Sequence, residues 1–268
     1  MNVPRGAWVE QVMGLPVSIH LRGGTLPPWR PAFLDEVFAQ LHRIDALFST
    51  YRPGSQISRL AAGELAVTEC DPLIGEVLAL CEQAHAVTGG AFDPLLPAPG
   101  GGYVLDPSGL VKGWAVERAA RRIGECFDGD YYINAGGDIA LESRSGVGWR
   151  IGVEDPRPGG GLLGVLPLTG GGVATSGSAR RGAHIIDPRT GRPAGGLLSV
   201  TVSGPSLTWA DVLATAAFVR GSESLDWLGG LDSHAALLVR PDGTTAMTPA
   251  MAALIQPVSP AHQREDIR

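Results

Sequence analysis

No stretch of this 268-residue chain approaches about 18 unbroken apolar residues, the length a membrane-spanning helix needs. The opening MNVPRGAWVEQVMG has neither a basic region followed by an apolar core nor a lipid-attachment cysteine. The expectation is a protein without an export signal or membrane anchor. Cysteine is scarce: Cys70, Cys81 and Cys126 show no CxxC spacing and leave one thiol over under any pairing. They read as reduced thiols, which points to a cytoplasmic protein. A cationic excess is missing too, since Lys and Arg number 21 against 27 Asp and Glu. The resulting net charge of −6 argues against nucleic acid as a partner. No P-loop, HExxH or GxSxG sequence occurs, so the familiar routes to nucleoside triphosphate, zinc-protease and serine-hydrolase chemistry have no support. GGGLLG at 159–164 satisfies GxGxxG in letters, but VLPLTGGG follows it where a helix should stand, and a plain loop is expected.

What the chain does contain is ordinary for a globular protein: 44% apolar residues, 18% charged, 38 glycines and 21 prolines that call for many tight turns. Neither an internal repeat nor an interdomain linker is visible. One unit over residues 1–256 is expected, with 257–268 as a disordered tail. Helical spacing is clear in Leu34, Val37, Phe38, Leu41, Ile44 and Phe48 after Pro31. STYRPGSQISRL then reads as a loop. A second helix spans about Pro72–Val87 and ends at Gly89 and Gly90, and a third begins near Gly109. The runs YYIN, IALE, WRIGVE, LLGVLPL, GGVAT, AHIID and LLSVTVSG are short and β-branched or apolar, and AALLVRPDGTTAMT reads as a closing hairpin. Helices plus a mostly antiparallel sheet make the fold class α+β.

The chemically interesting residues stand out from this background one at a time. TWADVLATAAFVRG, 208–221, is apolar on nearly every side of a helix, yet it carries Asp211 and Thr215 one turn apart. A carboxylate buried there needs hydrogen bonds, a cation or a metal. Thr208 and Asp211 also form a T-x-x-D start signal. In GGAFDP, Asp93 reads first as a turn residue. In LDPSGLVKGWA, Asp106 and Lys112 flank a helix start whose amides favour an anion, and a lysine there opposes the macrodipole unless an anion meets it. Gly136 and Gly137 interrupt a strand-like run, implying a bulge or a close approach, and Asp138 reads as a turn cap. His184 is weighed as a satisfied strand histidine against a catalytic base.

Taken in order, MGLPVSI, STYRPGSQISRL, GGAFDP, LDPSGLVKGWAVE, INAGGDIALE, VATSG, HIIDPRTGRP and ADVLATAAFV resemble the ApbE-like FAD:protein FMN transferases from Met13 to about Met247. The resemblance implies an ApbE-like fold with an FAD cleft between two lobes. It implies Mg2+-dependent transfer of FMN from FAD to a Thr or Ser hydroxyl of an acceptor flavoprotein, with AMP released and Mn2+ as the alternative ion. Gly109 (by its carbonyl), Asp211 and Thr215 would bind the metal. Met13, Tyr51, Ala91, Phe92, Asp93, Asp106, Lys112, His184 and Ile185 would contact FAD. Lys112 would pair with phosphate, and His184, with an ordinary pKa near neutrality, is the preferred base for the attacking hydroxyl. Leu15 and Leu60 depart from the family's usual threonine and asparagine, and the segment SARRGA is short. Two other readings stay open, an FAD pyrophosphatase yielding FMN and AMP and a non-catalytic FAD-binding module. No acceptor motif of the form D-G/A/S-x-T/S-x-A/S-T/S occurs in the chain, so the acceptor is expected to be another protein.

Overall fold

The computed structural model describes residues 3–26, 29–98, 100–178, 182 and 184–258. The chain opens with a hairpin that the sequence reading did not anticipate, β1 (Arg5–Val12) and β2 (Leu15–Arg22), turned by Met13 and Gly14. Both turn residues have positive φ, 53° and 71°, as a two-residue hairpin turn requires. Met13 is the one non-glycine in that region among the described residues. Helix α1 (Ala32–Phe48) follows Pro31 as its periodicity predicts. The following segment is not all loop: Ser55 accepts a hydrogen bond from the Ser58 amide and starts a short helix, α2 (Gln56–Ala61). Helix α3 (Pro72–Thr88) is capped by Asp71 and ends at Gly89 in the left-handed conformation, φ 58°. A small hairpin, β3 (Leu95–Pro97) and β4 (Tyr103–Leu105), leads into α4 (Ser108–Cys126).

The remaining strands are β5 (Asp130–Ala135), β6 (Asp138–Glu142), β7 (Trp149–Glu154), β8 (Leu162–Leu168), β9 (Gly170–Gly177), β10 (Ile186–Asp187), β11 (Arg192–Pro193) and β12 (Ser199–Gly204). Helices α5 (Leu207–Arg220) and α6 (Ser224–Gly229), the hairpin β13 (Ala235–Val239) and β14 (Thr245–Met247), and α7 (Pro249–Leu254) complete the chain. Gly136 and Gly137 form a hairpin turn between β5 and β6 and not a bulge, because Ala135 pairs directly with Asp138. GGGLLG is loop running into β8, as its context predicts. Of AHIID, only Ile186–Asp187 is strand and Ala183 lies outside the described residues. Most of SARRGA and the tail from 259 onward lie outside them as well.

Eight strands form one sheet in the order β1-β2-β5-β6-β9-β12-β13-β14, every neighbouring pair antiparallel. Alternation along the strands divides its two faces. Val17, Ile19, Leu21, Ile133, Ala140, Ala174, Val200, Val202, Ala236 and Leu238 join the large core beneath α1, α3, α4 and α5. Ile139, Leu141, Val173, Leu237 and Val239 face the opposite way, onto the β7–β8 hairpin and Met251 of α7. An open groove on that second side is lined by His20, Tyr132, Asn134 and Trp149, among others. Helix α5 lies against β9, β12 and α4, so all its residues except Trp209, Thr215 and Arg220 are buried.

Candidate functional site

The site is assembled at one end of the sheet, on its helical face. Val17 pairs with Ala135, which brings the Met13–Gly14 and Gly136–Gly137 turns side by side, and a side chain at Gly136 would touch Leu15. Immediately after the second turn, Asp138 opens β6 on the same face as Ala140. It does not merely cap a turn. Its Oδ1 accepts the Thr175 amide at 3.0 Å, and its Oδ2 meets the ammonium of Lys112.

Lys112 reaches this point from the second turn of α4. Its Nζ lies 3.4 Å from Asp211 Oδ1 on α5, so the ammonium stands between two buried carboxylates, each about 3% exposed at its side chain. The anion that the macrodipole argument called for is therefore supplied within the protein. The other oxygen of Asp211 accepts the Gly113 amide at 3.2 Å. In a regular helix that amide belongs to the Gly109 carbonyl, which thus shares its donor with Asp211. One turn along α5, the Thr215 hydroxyl lies 3.1 Å from Ser176 Oγ of β9.

Close packing of α4 on α5 makes the arrangement possible. A Cβ on Gly113 would sit 2.9 Å from Asp211 Cβ and 3.1 Å from the Leu207 carbonyl. One turn further, Glu117 accepts from Ser206 Oγ at 2.7 Å, from the Thr208 amide at 2.9 Å, and from the Thr208 hydroxyl as well. This cross-helix carboxylate, with Ser206 as N-cap, replaces the T-x-x-D start read from the sequence: α5 begins at Leu207, which places Asp211 in its second turn. Burial pushes the Glu117 pKa up, but the hydrogen bonds from Thr208 and Ser206 outweigh it and hold the group below the ordinary glutamate value.

The other sequence-selected residues are distributed around this cluster. Phe92, buried with Ala91, lays its ring against Gly109, where an added Cβ would lie 3.2 Å from it. Asp93 forms the turn expected of it, accepting the Leu95 amide at 2.8 Å, and also pairs with His85 Nδ1 at 3.2 Å. Asp106 accepts the Ser108 amide at the start of α4. Met13 and Ile185 are partly buried against the main core. Tyr51 is 95% exposed beyond the end of α1. His184 is exposed in the loop before β10, not in a strand, and its hydrogen bonds run to the Gly182 carbonyl. The structure thus joins Lys112 to Asp211, with Gly109 at the same helix start and Thr215 one turn along α5 beside Ser176, but does not join Tyr51 or His184 to them.

Sequence reasoning missed Asp138 as the partner of Lys112, Ser176 beside Thr215, and Glu117. The spacing of Gly113 and Glu117, four residues apart on one face of α4, was the available signal for the last. The donor set suits a hard divalent ion: a carboxylate and a hydroxyl one turn apart, with a helix-start carbonyl nearby, offer only oxygen. No cluster of three or more His, Cys, Asp or Glu residues suited to a metal occurs among the described residues, so such an ion would rest on hydroxyl and carbonyl oxygens as well.

Fold and site together define a mixed helix and antiparallel-sheet protein with an oxygen-rich polar cluster on its helical face. Residues 13–99 and 96–238 match the model of the ApbE family, and the chain belongs to that family. A FAD:protein FMN transferase of Rhodobacter capsulatus is 32% identical over 166 residues, which is 58% of this chain and 31% of that protein. One from Vibrio cholerae is 37% identical over 131 residues, 44% of this chain and 39% of that protein. The matched segments span well under half the length of these relatives. Among solved structures, the ApbE protein of Thermotoga maritima superposes with TM-score 0.81 at 23% identity, covering 94% of this chain and all of that one (100%). The apo flavinyl transferase ApbE of Pseudomonas stutzeri gives 0.80 at 25% identity, covering 96% and 99%. No helix among the described residues is long and apolar enough to cross a membrane.

Proposed function

We propose that this chain, with residues 1–256 working as one unit, transfers FMN from FAD to a Thr or Ser hydroxyl of an acceptor flavoprotein in the cytoplasm. The observation that carries the reading is the meeting of Lys112 with the buried Asp211 beside the α4 start, with Thr215 one turn along α5, in a chain of the ApbE family. In the reaction, the acceptor oxygen forms a bond to the FMN-side phosphorus while the bond from that phosphorus to the bridging oxygen breaks. AMP leaves with the bridging oxygen, and FMN remains on the acceptor as a phosphodiester.

Asp211, Thr215 and the Gly109 carbonyl would hold Mg2+ or Mn2+, which neutralises charge developing on the pyrophosphate, an effect worth several kcal/mol. Lys112 supplies a cation toward the phosphates. Phe92 and Ala91 form a dry wall at the helix start, while Asp93 and Asp106 present carboxylate oxygens to polar groups of the nucleotide. Met13, Tyr51, His184 and Ile185 complete the FAD contacts, and His184 takes the hydroxyl proton.

The test is incubation with FAD, Mg2+ and an acceptor carrying the Thr/Ser motif, followed by intact-mass measurement and an EDTA control. The expected result is an acceptor gaining one FMN phosphodiester only when metal is present, with Asp211→Ala inactive and His184→Ala binding FAD but failing to transfer. AMP released with no acceptor modified would assign the chain to FAD hydrolysis instead, and FAD retained without turnover would make it a binding module.

A further inference from the structure

Asp138 belongs to none of the residue sets considered above for metal or flavin, yet its buried carboxylate pairs with Lys112 at the centre of the cluster. We infer that Asp138 is a positioning residue that draws the Lys112 ammonium away from Asp211 and keeps the Asp211 carboxylate available to a divalent cation. The inference rests on the metal-site reading of Asp211 and extends it to a residue one strand away.

Three observations carry it. The Lys112 ammonium meets Asp138 Oδ2 as well as lying 3.4 Å from Asp211 Oδ1, so Asp138 shares a charge that would otherwise fall on Asp211 alone. Asp138 is fixed in that orientation, since its Oδ1 is held by the Thr175 amide at 3.0 Å and its backbone by pairing with Ala135 immediately after the two-glycine turn. Its Oδ2 has no hydrogen-bond donor besides that ammonium among the described residues. An ammonium and a divalent cation compete for one carboxylate, and in a buried setting that competition is strong because little water screens it. A second carboxylate placed behind the lysine removes the competitor without removing the lysine from the site.

Asp138→Asn tests this, because the amide keeps the oxygen that accepts from Thr175 and loses the charged acceptor facing Lys112. Manganese binding to the full chain without nucleotide, read from the free Mn2+ signal by electron paramagnetic resonance, reports the effect without any turnover. The expected result is Mn2+ binding at least tenfold weaker in Asp138→Asn, restored to within about twofold of Lys112→Met in the double variant Asp138→Asn/Lys112→Met. Lys112→Met alone is expected to bind Mn2+ at least as tightly as the parent, and weaker binding there overturns the inference even if Asp138→Asn fails to fold. Unchanged binding in Asp138→Asn, or an equal loss whether or not Lys112 is present, also overturns it. Asp211→Asn separates the two levels. If that variant binds Mn2+ like the parent, the metal-site reading itself falls and the inference with it; if it loses binding while Asp138→Asn does not, only the inference falls.

Discussion

The carboxylate of Glu117 ties α4 to the first turn of α5, and replacing it by glutamine isolates the charge. The side chain is 19% exposed and receives four hydrogen bonds, three on Oε2 from the Ser206 hydroxyl, the Thr208 amide and the Thr208 hydroxyl, and one on Oε1 from the exposed Arg121. Hydrogen bonds to a charged acceptor contribute roughly 1.5–3 kcal/mol each and neutral ones about 1, so three bonds weakened but not abolished put the loss at about 2 kcal/mol. For a domain of this size that lowers Tm by about 4–8 °C. Because the folded pKa of Glu117 is lowered, its contribution is fully present above the unfolded glutamate pKa and is lost as pH falls through the folded value. Urea unfolding of parent and Glu117→Gln chains should therefore show the full gap at pH 7 and a gap that narrows as pH falls below the ordinary glutamate range. Equal stabilities at pH 7, or a gap that does not narrow at all down to acid unfolding, would refute the role given to this charge.

Two further predictions concern packing. A Cβ on Gly172 would stand 2.6 Å from the Leu207 backbone nitrogen, and backbone cannot step aside as a flexible side chain can. Gly172→Ala should push α5 off β9 at a cost of about 1–3 kcal/mol or more, visible as a fall in Tm. Cys81 is fully buried and its thiol is pushed up to about 12, chiefly by burial, with Asp93 adding to the effect, whereas Cys126 is exposed. A thiol reagent at pH 8 should label Cys126 in the native protein and reach Cys81 only after denaturant is added; rapid native labelling of Cys81 would contradict the packing of α3.

Long periodic elements were legible because one physical signal dominates each. The apolar spacing of α1 and α3, with Pro31 at one start and Gly89 at one end, fixes their limits from local rules alone. The first hairpin escaped notice because β1 alternates between exposed and half-buried residues without a strong apolar face, and because its turn uses Met13 in a conformation normally left to glycine or asparagine. Helix α5 was identified, but its start was misplaced. Its N-cap is Ser206, two residues before Thr208, and the carboxylate that takes the Thr208 amide in place of a local Asp comes from Glu117, about ninety residues earlier in the chain, where no local window reaches. The same holds in the cluster itself. Asp211 and Thr215 could be paired from helical spacing, while the meeting of Asp138 with Lys112 depends on which face of β6 follows the glycine turn, something only the sheet register decides.

Lys112, Asp138, Ser176 and Asp211 come from four elements, and the two helical members are 99 positions apart in the chain. No partly folded fragment gathers all four, since β6, β9, α4 and α5 must each be docked before the set is complete. Occupancy by a nucleotide–metal complex would on that account act as a gauge of completed folding, strengthening the whole native assembly by mass action in proportion to how far ligand exceeds its dissociation constant. Apo and loaded chains would then differ in overall protease resistance and not merely at the rim of one cleft.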